Sequence, residues 1–482
     1  MRSGASSSAS SKRPRRREHA RGATEEGVSR DRQEPAGARP VESVDELVAH
    51  LTSGAKPPER WRVGTEHEKI GLYADTHQPV PYEGERGIGA ILARVAEVDA
   101  WQPLREGEFL IGLEKGGASI TLEPGGQMEL SGAPLRTIHE TCDEFHAHLA
   151  LMKRVCDPMR IVWLGLGIHP LHGVDRIPVM PKARYRIMRS YLPTRGSLAL
   201  EMMFATATVQ ANFDYGDESD MVAKMRCGLA ISPIVSAIFA NSSVSEGKAN
   251  GFTTRRLHIW SHTDPDRCGL LPFAFDEGFG YREYVEWALD VPMFFLVRDG
   301  VYRPAHTTTF RRFLRDGFEG ERATLGDFDR HLTTLFPDVR LKRGVIEVRG
   351  ADAVPPGLTC SLPALWKGVL YDGDSLAQAY ALVSAFDAET REAARSDVAR
   401  RGLGARYGGV PVLELARELA RIAREGLARI AHAGRRDRDE TGFLAPVFAQ
   451  LEQGVSPGHR VAQLWEGEWS REVPRLIEYA RY

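Results

Sequence analysis

The chain has 482 residues, 42% hydrophobic and 27% charged, with a formal net charge of −2 at pH 7. That length buries one large core or two ordinary ones, and near-neutrality argues against nucleic acid as the main partner, because domains that bind phosphate backbones are usually strongly basic. The longest apolar runs singled out, 161–168 and 291–297, fall short of the ~20 residues of a membrane span; they read as buried strands, and no membrane partner is expected.

Residues 1–42 stand apart. The first 40 carry ten Lys/Arg against five Asp/Glu and almost no large apolar side chain. Such a segment cannot bury enough surface to offset its ordering entropy, so a disordered basic tail is expected. No apolar h-region lies near the start, so a secretory signal is not expected and the cytoplasm is the expected compartment. Residues 43–482 are expected to form one catalytic domain, mainly helical from 374 onward. The five cysteines (Cys142, Cys156, Cys227, Cys268, Cys360) are too few and too scattered for a secreted disulfide scaffold, and without a CxxC pair a thiolate zinc site is not expected.

Along that domain, Glu66 and Glu68 are two residues apart, so a strand turns both to one side. Residues 84–98 place Ile88, Ile91, Leu92, Val95 and Val98 on one helical face. A hairpin is expected to turn at Pro124-Gly125-Gly126, with Glu123 and Glu129 flanking the turn and Met128 and Leu130 opposite Ile120 and Leu122 on the core side. Residues 136–156 read as an amphipathic helix whose stripe includes Cys142, Phe145, Leu149, Met152 and Cys156. On that helix His139, Asp143 and His146 share a spacing that imitates a metal helix, and a plain helix surface is the better reading. Residues 206–214 alternate, with Gln210 and Asn212 on the polar face and Val209, Ala211 and Phe213 on the other. Segment 253–260, taken as extended, puts Arg256, His258 and Trp260 on one side. Segment 341–349, read as one strand, turns Glu347 and Arg349 to one face and Ile346 and Val348 to the core.

Carboxylates from three distant segments point to a shared cation, because crowded like charges persist mainly when something compensates them. Carboxylate oxygens without thiolate or imidazole partners favour Mg²⁺ or Mn²⁺ over zinc. The basic set Arg184, Arg189, Arg255, Arg256, Lys342, Arg343 and Arg349 offers guanidinium forks for carboxylate or phosphate. No GxxxxGK[ST], complete GxGxxG, GxSxG or HExxH motif is present, so any ATP phosphates must be held by metal ions and Arg/Lys.

The segments Glu66-His67-Glu68-Lys69, 119–132 with its Glu123-Pro124-Gly125-Gly126-Gln127 core, Met180-Pro181-Lys182-Ala183-Arg184-Tyr185 and 341–352 resemble the plant-type glutamate–cysteine ligases, over about residues 60–372. The resemblance implies an α+β, glutamine-synthetase-like fold: a curved, mainly antiparallel sheet with helices on its outer side and a helical C-terminal region. It implies ATP-dependent joining of the γ-carboxyl of L-glutamate to the amino group of L-cysteine through γ-glutamyl phosphate, the first step of glutathione synthesis. By it, Glu66, Glu68, Glu123, Glu129 and Glu347 hold Mg²⁺ (or Mn²⁺), Lys342 and Arg349 meet the nucleotide, and Arg349 and Glu347 are catalytic. Arg256, Trp260, Gln210, Asn212 and Arg184 then orient the amino acids. It also implies a redox-responsive disulfide between Cys142 and Cys360 and a redox-dependent homodimer, although Cys142 reads equally well as part of the core stripe. Two rivals stay open: a glutamate ligase with another amine acceptor, and a non-catalytic amino-acid or nucleotide sensor.

Overall fold

The computed structural model describes residues 39–432 and 439–482; the expected basic tail lies, for residues 1–38, outside the described residues. A nine-stranded sheet organises the chain. Its strands are β1 (Val63–Tyr73), β2 (Gln102–Glu106), β3 (Phe109–Lys115), β4 (Ala118–Leu122), β5 (Met128–Ser131), β6 (Ile161–Leu164), β7 (Thr208–Phe213), β8 (Val339–Lys342) and β9 (Val345–Asp352). The order is β8-β9-β7-β1-β5-β4-β3-β2, with β6 pairing the far end of β1, and every pair in this sheet is antiparallel.

The helices that matter here are α1 (Ile88–Asp99), α2 (Ile138–Cys156), α3 (Ala183–Tyr191), α4 (Glu218–Ile238), α5 (Arg255–Trp260), α6 (Ser361–Leu370) and α7 (Val412–His432). The sheet's apolar face gives Ile120, Leu122, Met128 and Leu130 to a core shared with α1 and α2. Val209, Ala211, Phe213, Ile346 and Val348 belong to a second core with α4, α6 and α7. The C-terminal region is helical as expected, with further helices at Gly373–Ala381, Ala388–Arg401, Ala445–Gln453, Pro457–Glu466 and Val473–Ala480.

Among the described residues α4 is the one helix long and apolar enough to cross a membrane, and 83% of its most apolar window is buried inside the protein. It is a core helix, apolar all round because sheet and helices enclose it; Ser236 Oγ donates to the β9 carbonyl of Gly350 at 2.8 Å. The short apolar runs weighed in the sequence missed it, since Lys224 and Arg226 interrupt its start.

Local expectations hold with instructive exceptions. The hairpin pairs Ile120 with Leu130 and Leu122 with Met128, and Gly126, at φ +84°, supplies the left-handed residue of its turn. Ile88, Ile91, Leu92 and Val95 are fully buried in α1, but Val98 is 45% exposed, because the helix ends at Asp99 beyond the edge of its contact. Segment 341–349 is not one strand. It is a hairpin whose turn, Arg343-Gly344, needs the positive φ of +80° at Gly344, and Glu347 and Arg349 share a face of β9 alone. Segment 253–260 is also not extended: Thr254 Oγ1 caps the amide of Leu257 at 3.2 Å and starts α5.

Candidate active site

Cross-strand register decides which side chains meet. Glu68 on β1 stands opposite Glu129 on β5, Glu66 opposite Gln210 on β7, and Asn212 on β7 opposite Glu347 on β9. Alternation along each strand then gathers Glu66, Glu68, Glu129, Gln210, Asn212, Glu347 and Arg349 on one face. The intervening residues of β1 go the other way. His67 is buried there 4.7 Å from the Phe145 ring, and Lys69 gives its ammonium to the His67 carbonyl at 2.9 Å.

At the β1–β5 end the face is acidic. Glu129 is fully buried, Glu66 nearly so, and Glu68 and Glu123 half-buried. Thr121 Oγ1 donates to Glu129 at 2.8 Å, Asn212 Nδ2 to Glu66 at 3.2 Å, and the Thr208 amide to Glu68 at 3.0 Å. Burial, and then the charges of Glu123, Glu129 and Glu66, hold the Glu68 carboxyl well above the usual carboxylate range, against the opposing pull of Arg256. The carboxyl oxygens of Glu66, Glu68, Glu123 and Glu129 form an all-oxygen donor set of the kind that suits Mg²⁺ or Mn²⁺.

At the β8–β9 end the balance reverses. Glu347 is fully buried and holds Arg340 Nε at 2.6 Å, Lys342 Nζ at 3.3 Å and Arg349 Nη1 at 2.9 Å. Arg349 reaches on to Gln210 Oε1 at 2.7 Å, while the Arg340 fork is pinned by the carbonyls of Thr333 and Leu335 at 2.8 and 2.9 Å. Three cations on one carboxylate leave an excess of positive charge suited to an anionic ligand.

Between the two ends stands α5. Arg256 and Trp260 are one helical turn apart, so they share a face, with the guanidinium carbon 5.6 Å from the indole centre. His258 takes the other side, stacked on Phe252 at 4.5 Å, where burial and the nearby His262 and arginines push its pKa down to about 4. The expected trio is therefore a pair, and a helix holds it.

An open cavity runs over this face, and its space of about 870 Å³ includes open solvent. Glu68, Glu123, Arg184, Gln210, Arg256, Trp260 and Arg349 line it. Glu66, Glu129, Asn212, Lys342 and Glu347 lie on or beside the same face but are not among the lining groups. Asn212 Oδ1, Arg256 Nε and Trp260 Nε1 are buried without a hydrogen-bond partner. Arg184, from the start of α3, lies with its guanidinium carbon 5.1 Å from the Tyr185 ring. Arg255 and Arg343 leave the site: one pairs with Glu201 at 3.1 Å, the other donates to Ser53 at 3.1 Å.

Sequence reasoning missed Arg340, which also lines the cavity. Its alternation with Lys342 was the available signal, lost when 341–349 was read as one strand. It also missed the aromatic wall of Phe294, Phe295 and Phe336, for which no local pattern exists. Cys142 is not in the buried stripe of α2; it is half-buried and bonded to Cys360 within the chain, with the Cα atoms 5.7 Å apart.

A mainly antiparallel sheet with carboxylates at one end of a polar face and guanidinium groups at the other agrees with the glutamine-synthetase-like fold that the resemblance implies. Residues 62–478 match the family described as glutamate-cysteine ligase family 2 (GCS2), and the chain belongs to that family. It is 46% identical to the chloroplastic glutamate–cysteine ligase of Nicotiana tabacum, over 92% of this chain and 84% of that protein. It is equally 46% identical to the chloroplastic glutamate–cysteine ligase B of Oryza sativa subsp. japonica, over 91% of this chain and 87% of that one. Among solved structures, a glutamate–cysteine ligase from Francisella tularensis in complex with AMP shares the fold, with a TM-score of 0.55 at 12% identity over 87% of each chain. The plant relatives, those of Solanum lycopersicum and Arabidopsis thaliana included, are named chloroplastic, which corrects the expectation of a cytoplasmic protein. The lack of an apolar h-region speaks only to the secretory route, since plastid transit peptides carry no such stretch.

Proposed function

We propose that the protein is a glutamate–cysteine ligase that uses ATP to join the γ-carboxyl of L-glutamate to the amino group of L-cysteine. The observation that carries this reading is the acidic end of the sheet face, where Glu66, Glu68, Glu123 and Glu129 crowd together beside a guanidinium-rich end. The identity to plant ligases supports the substrates, and the AMP held by the Francisella tularensis enzyme supports an adenine nucleotide.

A carboxylate is a poor acyl donor, so activation as γ-glutamyl phosphate precedes attack by the amine. Phosphoryl transfer asks mainly for positioning and charge neutralisation. Glu66, Glu68, Glu123 and Glu129 would hold Mg²⁺ or Mn²⁺, and Glu347, expected among them, is instead taken by Arg340, Lys342 and Arg349; when bound, such ions neutralise charge on the phosphates. Arg349 is fixed by Glu347 and Gln210, so its remaining donors are aimed before any ligand arrives, and preorganised donors contribute most where charge develops. Lys342, held toward Glu347, adds positive charge behind it. Arg256 and Trp260 form a charged and aromatic corner for an amino-acid head group, with the open acceptor of Asn212 near the acidic end and Arg184 on the cavity wall beside Tyr185. No protein nucleophile is required.

The direct test incubates the protein with ATP, Mg²⁺, L-glutamate and a panel of amino acids, with mass detection of the dipeptide and phosphate release. Preferred formation of γ-glutamylcysteine is expected. Preference for another amine would replace the acceptor, and no turnover with any amine would favour the sensor reading.

A further inference from the structure

On the outer side of the molecule, Cys142 and His146 sit one turn apart on α2, and Cys360 faces them from the residue just before α6. Both sulfurs and a ring nitrogen of His146 all lie within 4.8 Å of one another. His146 is exposed and the two cysteines half-buried, so solvent ions reach the group. Ligands of a tetrahedral zinc stand about 3.5–3.8 Å apart, from metal–sulfur and metal–nitrogen bonds of about 2.3 and 2.0 Å. The three atoms are therefore within small side-chain movements of that geometry. An i, i+4 pair on one helix face, completed by a remote third ligand, is a recurring way to hold such an ion.

We propose that the Cys142–Cys360 pair, once reduced, joins His146 to capture one thiophilic divalent cation of the Zn²⁺ class, so that disulfide and metal are alternative ties between α2 and α6. A dithiol reductant gives two electrons and two protons to the Cys142–Cys360 bond. The S–S bond breaks, two thiols form, and the reductant leaves as its own disulfide. The cation then displaces both thiol protons to solvent, forming two metal–sulfur bonds and one metal–nitrogen bond, with the fourth position left to water. The disulfide offers no thiolate, so the oxidised protein does not bind the ion here. Softness separates this site from the carboxylate cluster: sulfur and imidazole select zinc-like ions, and glutamate oxygens select Mg²⁺. The other thiols do not compete on these terms. Cys156 and Cys227 are buried, no two of the remaining cysteines form a bond, and burial pushes the Cys156 and Cys268 thiols up to about 12.

Cobalt(II) is the probe, added to the full-length protein in excess Mg²⁺ so that the carboxylates are already occupied. Protein reduced with a water-soluble phosphine and desalted is expected to give a thiolate-to-cobalt charge-transfer band saturating at one ion per chain. The oxidised wild type and Cys142→Ser are expected to lack it. His146→Ala, an exposed change that leaves the disulfide able to form by thiol counting, should weaken cobalt binding by more than the ~10-fold cost of losing an outer-shell partner. No thiolate band in the reduced wild type overturns the proposal, as does a band of equal strength in Cys142→Ser. Unchanged affinity in His146→Ala removes the imidazole from the site and overturns the three-ligand assignment.

Discussion

The two ends of one sheet face manage buried charge in opposite ways. At the β1–β5 end Glu66, Glu68, Glu123 and Glu129 share one region, and Glu68 is held well above its usual range by burial first and then by the other carboxylates, against the pull of Arg256. At the β8–β9 end one carboxylate, Glu347, is shared by Arg340, Lys342 and Arg349. The first arrangement places a raised carboxyl among other acids, which is the basis for proposing a cation there. The second pairs its one acid with three cations, keeps an excess of positive charge, and uses that acid to aim two guanidinium groups. On the proposed function, the first region would bind a cation and the second would position donors for an anion. Removing a charge should therefore do different things at the two ends.

The largest effect on turnover is expected from Glu68→Gln. The amide oxygen can still accept the Thr208 amide hydrogen bond, so the fold is kept, while activity should fall about 10²–10³-fold and the rise in Tm on adding Mg²⁺ should shrink. Stability without Mg²⁺ should not fall. A carboxyl raised in the folded state contributes stability below the ordinary carboxylate range and loses it as pH climbs through the raised value. Above the ordinary carboxylate range the acid is therefore a cost to folding, which Gln removes. A large drop in Tm would show Glu68 to be structural and erase the contrast.

Arg340→Met is expected to do the reverse. Taking one partner from a buried ion network costs about 3–5 kcal/mol, visible as a lower midpoint in urea unfolding with little change in slope. The Mg²⁺-dependent rise in Tm should persist, because the acidic end is untouched. Loss of activity without loss of stability would instead make Arg340 a group that meets ligand directly.

The smallest effect belongs to the seam. Trp260→Leu removes the ring beside Arg256 and Arg349, an interaction worth about 1 kcal/mol. It should raise KM for an amino-acid substrate roughly fivefold with kcat nearly unchanged, the signature of binding shared by ground and transition states. Equal loss in kcat would move Trp260 into the transition-state machinery.

How far the sequence could be read depended on whether the signal was local. Period-two alternation in 64–68 and 206–214 and the turn glycines of 124–126 correctly announced strands, their faces and a hairpin, because those features follow from steric rules within a few residues. Segments 253–260 and 341–349 misled for the same reason. Short runs fit more than one period, and only the cap at Thr254 and the left-handed Gly344 settle them. The Arg256–Trp260 pair survived the wrong reading by coincidence of spacing: a separation of four returns to the same side both in an alternating strand and on a helix.

By itself the chain determined its inventory: which carboxylates and guanidinium groups are available, which strands carry them, and the family to which they belong. Only the tertiary structure decided their allegiance. Register across β5, β1, β7 and β9 put Glu66, Glu68 and Glu129 on one face and gave Glu347 to three cations, and a charge in a folded protein takes its energy from its neighbours in space, which no position in a linear string records.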